Sequence, residues 1–285
     1  MNGFLIVDKP AGMTSHDAVA ICRKRLQTKR IGHAGTLDPD ATGVLVIGVG
    51  RGTRLLQFLS GDDKEYLATA VFGIETTTQD ASGEVIHETS AQDLDKETLE
   101  EALHDFTGVI RQIPPMVSAV KVGGERLYRK ALRGEEVERE PRDVEIKELF
   151  CESFLPGDRA EAQLRVTCTK GTYIRTLVHD IGKALGIGAH VGTLRRTRSG
   201  SFALDQATPM DDAGVDSVQP MEDAVASFPS RVASDEEVRG LIQGKRIAAA
   251  GIEGTYAVFD ERGSLVAMAH DTENEARSIC VVAEV

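Results

Sequence analysis

Residues 32–42 read Gly-His-Ala-Gly-Thr-Leu-Asp-Pro-Asp-Ala-Thr, and after Gly43 the chain continues Val-Leu-Val-Ile-Gly-Val at 44–49. Asp38 thus stands among Gly32, Gly35, Pro39 and Gly43. Glycine reaches backbone geometry closed to other residues, and Pro39 fixes φ and removes a donor. The apolar run behind the loop has the character of a buried strand. Two readings fit. Asp-Pro is ordinarily a turn in which the Asp is the hydrogen-bonding residue. A carboxylate on a constrained loop backed by a strand is equally a group presented for chemistry. Local chemistry leaves both open.

The surrounding chain sets the class. Its 285 residues suffice for a large domain plus a small one, each with a core. With 41% hydrophobic and 27% charged residues, the composition is that of a globular protein. No apolar run approaches the roughly 20 residues that span a bilayer. The first ten residues lack the pattern of a signal peptide, so the expectation is a cytoplasmic protein with no membrane association. Cys22, Cys151, Cys168 and Cys280 form no Cys-x-x-Cys pair and read as buried thiols, and the seven His show no metal-ligand spacing.

The net charge of −12 argues, as a bulk number, against a nucleic-acid partner. By region it reads differently. Residues 1–60 carry 8 basic and 4 acidic residues and 121–200 carry 16 and 12, whereas 61–120 carry 3 and 13 and 201–285 carry 6 and 16. Basic charge collects where the Gly-rich stretches lie, as suits an acidic protein that meets a polyanion locally.

In chain order, residues 4–7 read as a strand, and Thr14 or Ser15 caps a helix with Ala18, Val19, Cys22 and Leu26 on one face. That helix ends in Arg23, Lys24 and Arg25, with Lys29 and Arg30 beyond. These five fit either the helix dipole on a solvated face or a phosphate backbone. The glycines at 48, 50 and 52 precede an expected helix at 54–59, but the spacing is wrong for a dinucleotide fingerprint. A strand follows at 64–72, where Tyr66 reads as a packed aromatic, then a helix at 93–106 and an extended 113–121. Residues 125–133 read as a short helix capped by Gly134, with a second basic cluster. Strands at 144–154 and 160–169 pair around a turn, and Gly171 opens a helix running to 185. Arg175 on its first turn gains nothing from the dipole, which points to a carboxylate partner elsewhere. A third cluster, Arg195, Arg196 and Arg198, follows Leu194. From 209 to 230 the chain reads as an acidic linker with one short helix at 221–228. A β-rich module of about 55 residues completes it, close to the lower size for independent folding, and is expected to pack on the rest.

Four stretches carry an identity together: the Asp38 loop, Lys64-Glu-Tyr66, Ser118-Ala-Val-Lys121 with Tyr128, and Gly171-Thr-Tyr-Ile-Arg175. In this order they closely resemble the bacterial tRNA pseudouridine synthases that modify uridine 55 of the T-loop, and Asp80 with Gly83 is similar to that family's acidic motif. The resemblance covers essentially the whole chain. It implies an α+β fold, with a mixed, mainly antiparallel sheet and flanking helices over residues 1–230, and a PUA-like domain over 231–285.

The resemblance also assigns roles. Asp38 is the implied catalytic carboxylate, Tyr66 stacks on the target base and can take a proton, and Arg175 keeps Asp38 ionised. Tyr173 packs beneath both, His33 fills space beside the displaced base, and Lys64, Lys121 and Leu194 line the substrate site. The chemistry agrees: the N1–C1′ bond breaks, the base turns, and C5 joins C1′. No cofactor, nucleotide or metal is required. A carboxylate nucleophile divides the change into easier steps, by attack at C1′ or at C6. The base must leave its stack at a cost of about a few kcal/mol. The implied partner is tRNA, through its T-loop, with the basic clusters on its backbone and no obligate protein partner. The competing expectation is an RNA-binding or RNA-folding protein without catalysis, and a nucleotide enzyme built on residues 48–52 is a distant third.

Overall fold

The computed structural model describes residues 1–116, 118, 121–122, 125–126, 133, 135 and 137–283, with only the backbone for residues 121–122 and 125–126. The chain divides into two compact units. One comprises Met1–Pro39, Val44–Ser60 and Ser201–Val285; the other comprises Asp40–Gly43 and Gly61–Gly200.

In the first unit, β1 (Gly3–Lys9) leads to α1 (Ser15–Arg25), β2 (Ile31–Ala34) and β3 (Thr42–Val49), whose first two residues belong to the second unit. Thr14 caps α1 in a capping box with Asp17, as its sequence allows. β2 runs antiparallel to β3, and β1 pairs in parallel with Thr208–Pro209. The expected helix at 54–59 is a 3-10 stretch (Gly50–Arg54) followed by one α-turn, α2 (Leu56–Leu59). The glycines there serve close packing. A Cβ on Gly52 would lie 2.1 Å from the Gly3 carbonyl oxygen, and one on Gly50 would lie 2.4 Å from that of Met1. This accounts for the Gly-x-Gly-x-Gly run without a nucleotide.

In the second unit β4 (Lys64–Phe72) is central, buried at every other residue as its alternation predicts. A small hairpin (Ile74–Thr76 with Val85–Glu88), α3 (Lys96–His104) and β5 (Gly108–Gln112) follow. Asp95 caps α3, so the helix is shorter than the apolar pattern of 93–106. Then come β6 (Arg142–Leu155), β7 (Glu161–Cys168), α4 (Ile174–Ala184) and β8 (Ala189–Ser199). The strands lie in the order β8-β4-β7-β6-β5, all antiparallel, with Thr42 and Gly43 adding a short parallel pairing on β8. The sheet is mixed and mainly antiparallel, and the fold is α+β. β8 has no counterpart in the sequence reading, because bulges at Val191/Thr193 and Arg196/Arg198 break its alternation. The helix expected at 125–133 is not helical where it is described: Glu125–Arg126 pairs with Lys121–Val122 as strand. Its remainder, including Tyr128 and the Gly134 cap, lies outside the described residues.

Residues 201–285 belong to the first unit. The expected helix at 221–228 is a single 3-10 turn, Asp223–Val225. Beyond it, β9 (Ser230–Val232), α5 (Asp235–Ile242), β10 (Ile247–Ala248), β11 (Thr255–Phe259), β12 (Leu265–Thr272) and β13 (Glu275–Val281) form a five-stranded sheet in the order β9-β11-β12-β13-β10. One apolar cluster joins Phe4, Ile6, Val44, Val46 and Leu55 to Ala257, Leu265, Met268 and Val282, so this module packs on β1 and β3. Arg51 donates to the carbonyls of Val282 and Ala283, and Arg54 to that of Val281. The module also has a core of its own, which includes Leu241, Tyr256, Val258 and Val266.

Tyr256 is fully buried and its hydroxyl donates to Asp271 at 2.6 Å. That bond, helped by the Gly251 and Ile252 amides, holds the Asp271 carboxyl below its ordinary value. A carboxyl depressed on folding stabilises above its unfolded pKa, and the contribution is lost as pH falls through the folded value. Tyr256→Phe therefore lowers the melting temperature at pH 7, and the difference from wild type narrows as pH falls below about 4. Thermal scans across pH check this.

Candidate active site

Asp38 follows β2 on a half-buried stretch whose neighbours are fixed on both sides. The buried Ser15 hydroxyl at the start of α1 accepts from the Leu37 N–H (2.9 Å) and donates to the Leu37 carbonyl (3.1 Å). On the other side, the Pro39 carbonyl accepts from the Gly12 N–H (3.1 Å) and the Lys9 ammonium (2.9 Å). Lys9 is 0% exposed and also donates to the carbonyls of Pro10 and Met13, both at 2.8 Å. Gly35 takes φ +86°, a conformation that disfavours a side chain. The peptide units flanking Asp38 are thus held by groups other than its own carboxylate. His33, in β2, is half-buried and meets the His16 ring edge-on at a centroid distance of 5.4 Å.

The ties from Lys9 to Pro39 and from Ser15 to Leu37 escape the sequence, in which Ser15 reads only as a candidate helix cap, because they span 30 and 22 residues. A Lys-Pro pair ahead of a capped helix was the only local signal. Lys9→Met takes the buried ammonium away from three part-buried carbonyl contacts, those of Pro10, Met13 and Pro39, and is expected to destabilise by about 1–3 kcal/mol. Urea denaturation measures it.

The other expected residues belong to the second unit and are described within it. Arg175, 3% exposed on the first turn of α4, donates to the Thr78 carbonyl at 2.8 Å and pairs with Asp80 at 3.3 Å. The carboxylate that its place at a helix N-terminus called for is therefore present within this unit. Asp80 also accepts from Thr78 Oγ1 (2.6 Å), the Ser82 N–H (3.0 Å) and Ser82 Oγ (2.5 Å). Its loop is tied to β8 through Val191, which donates to Gln79 and accepts from Ala81. A Cβ on Gly83 would come within 2.4 Å of Thr78 Oγ1, so the loop needs its glycine. Tyr173, half-buried, is the N-cap residue of α4, and its main chain is paired with the Gln112 side chain.

Tyr66 and Lys64 lie on the buried face of β4. Tyr66 stands opposite Val166 on β7 and Arg196 on β8, and Lys64 opposite Cys168 and Ser199. Burial lowers the Lys64 pKa, and the Arg196 charge adds to that; burial also pushes the Cys168 thiol up to about 11. Leu194, partly buried on β8, is opposite Ala68. Lys121 lies in the two-residue strand Lys121–Val122 and is placed by backbone only. Among the described residues, no group of three or more His, Cys, Asp or Glu is arranged to hold a metal ion, and no helix is long and apolar enough to cross a membrane.

The basic clusters resolve unevenly. Arg23 donates to the Ile31 carbonyl and Arg25 to those of Met210 and Ala213, so both brace the fold. Arg196 is 1% exposed and is no surface contact. Arg195 donates to Thr42, and Arg198 pairs with Glu65 at 3.7 Å. Lys24, Lys29 and Arg30 are exposed.

The likeness to known proteins runs the length of the chain. Residues 23–174 match the TruB family pseudouridylate synthase N-terminal domain, 175–226 the tRNA pseudouridylate synthase B C-terminal domain, and 228–283 the tRNA pseudouridine synthase II C-terminal domain. A tRNA pseudouridine synthase B of Thermobifida fusca is 44% identical over 289 residues, covering 99% of each chain. That of Mycobacterium leprae is 42% identical, covering 98% of this chain and 90% of its own. Among solved structures, a chain from the crystal structure of a Cbf5-Nop10-Gar1 complex matches at TM-score 0.76 and 28% identity, over 99% of this chain and 85% of its own. A chain from an H/ACA RNP bound to a substrate RNA containing 2'-deoxyuridine matches at 0.74 and 26%, over the same shares. The fold is that of the pseudouridine synthases. Within that class, the chain belongs to the TruB family of pseudouridylate synthases.

Proposed function

We propose that this protein isomerises uridine to pseudouridine at position 55 in the T-loop of tRNA, with Asp38 as nucleophile and without a cofactor. The tRNA substrate is supported by relatives named tRNA pseudouridine synthase B at up to 44% identity. The observation that supports the role of Asp38 is the clamp on the Leu37 and Pro39 main chain, which fixes the stretch that carries the carboxylate. A group fixed in this way loses little freedom when it reacts.

In this reading the target base leaves its stack and enters against Tyr66, and the Asp38 carboxylate adds to the nucleoside. The N1–C1′ bond breaks, the freed uracil turns, and C5 joins C1′. The C5 hydrogen leaves as a proton, with Tyr66 assigned to accept it, N1 takes up a proton, and the carboxylate is released. The family resemblance gives Arg175 the part of keeping Asp38 ionised, Tyr173 that of packing support for the site, and His33 that of filling space beside the displaced base. Lys64, Lys121 and Leu194 complete the lining. Loop bases are readable by stacking and by their edges, unlike those of a helix. The exposed Lys24, Lys29 and Arg30 supply backbone contacts.

Residues 1–230 form the catalytic portion in this proposal and 231–285 a PUA-like module, supported by the change of family match between 226 and 228. Incubation with unmodified tRNA carrying tritium at C5 of uridine tests the activity. Release of tritium into water is expected; none from a folded T-arm substrate overturns the reading.

A further inference from the structure

Gln112 is the last residue of β5 and is 1% exposed. Its side-chain amide is matched to a single residue. Oε1 accepts from the Tyr173 N–H at 3.0 Å, and Nε2 donates to the Tyr173 carbonyl at 3.2 Å. This is the pairing of a β-ladder, made by a side chain with a main chain 61 residues on. It falls where α4 needs it. The N-cap residue Tyr173 makes no side-chain capping bond of its own, and its carbonyl already receives the Leu177 N–H of the first turn at 3.0 Å. Arg175 follows two residues later, with its guanidinium on Asp80 and Thr78.

We infer that Gln112 is a positioning residue for the reaction. It touches no substrate, but it sets where α4 begins, and so holds Tyr173 and Arg175 in their working places. The inference rests on the proposed function. Two details favour positioning over mere support. Both polar groups of one buried amide are spent on the same residue, gripping the peptide units on either side of its Cα, so a sidestep by Tyr173 breaks two bonds together. Pro114 and Pro115 follow two and three residues later, and Pro offers no N–H to replace the lost pairing.

Two variants test it in the full-length protein. Gln112→Met keeps the length and removes both bonds. Its kcat for tritium release is expected to fall about 10–100-fold, with KM for tRNA within about twofold. Gln112→Glu gives the sharper readout. Protonated, its carboxyl offers one donor and one acceptor and restores both bonds; ionised, it has no donor and faces the Tyr173 carbonyl with negative charge. The ratio of its kcat to that of wild type should therefore rise several-fold as pH is lowered from 8 to 6, since burial raises a carboxyl pKa. A purely structural role predicts a lower melting temperature in both variants, with kcat per folded molecule unchanged and no pH-dependent ratio. That result overturns the inference while leaving the activity standing. Absence of turnover in the wild type overturns both.

Discussion

Asp38→Asn is expected to abolish pseudouridine formation, by about four orders of magnitude or more, as removal of a covalent nucleophile does elsewhere. It should leave tRNA binding nearly intact. The structure explains why the two effects separate. Ser15 holds the Leu37 peptide, and Lys9 with Gly12 holds the Pro39 carbonyl. None of those bonds uses the carboxylate. Asparagine has nearly the same shape, so the loop is expected to keep its course while the proposed nucleophile is lost. Single-turnover tritium release paired with filter binding measures both. A variant that retains more than about one per cent of the rate removes Asp38 from the role of nucleophile.

The second large effect is expected at Arg175. Its guanidinium reaches the Thr78 carbonyl and the Asp80 carboxylate together, from a position 3% exposed. Arg175→Lys keeps the charge but gives up the planar guanidinium, whose Nη1 meets both acceptors, and should cost about tenfold or more in kcat. Arg175→Met removes the charge as well. Asp80 then keeps only Thr78 and Ser82, and the loss in kcat should reach about 100–1000-fold. Because the Asp80 side chain is 24% exposed, stability should fall by only about 1–3 kcal/mol, less than for a fully buried pair. Asp80→Asn should behave similarly, and the double variant should be little worse than either single one, as for two residues that act as a unit. Steady-state kinetics on the four proteins decides it. Additive losses would mean that the pair does not work together.

Much of this was legible in the sequence, and the exceptions share one cause. The strand at 64–72 shows in its alternation, and α4 in its capping turn and apolar stripe, because both patterns are local. β8 did not show, since two bulges disturb its period and its most buried large side chain is Arg196. The glycines at 48–52 showed as a motif but not their purpose, which is to let the chain pass the first residues. Arg51 and Arg54 beside them hold the end of the C-terminal module, a contact across more than 220 residues that no local pattern reports. The candidate site divides in the same way. Asp38, Tyr66, Tyr173 and Arg175 stand out only as members of ordered motifs, whereas Asp80 fits both its motif and the need of Arg175 for a carboxylate. The ties that Lys9, Ser15 and Gln112 make to Pro39, Leu37 and Tyr173 leave no mark, because each joins a side chain to a main chain distant in sequence. A buried polar side chain that serves someone else's backbone becomes visible only once the fold brings the two together.

The most direct test of the central claim is to treat an unmodified tRNA transcript with the pure protein and map pseudouridine at every nucleotide, with Asp38→Asn in parallel. The prediction is a single new pseudouridine at position 55 with the wild type and none with the variant. No pseudouridine from the wild type, a site other than 55, or an equal product from the variant would contradict it.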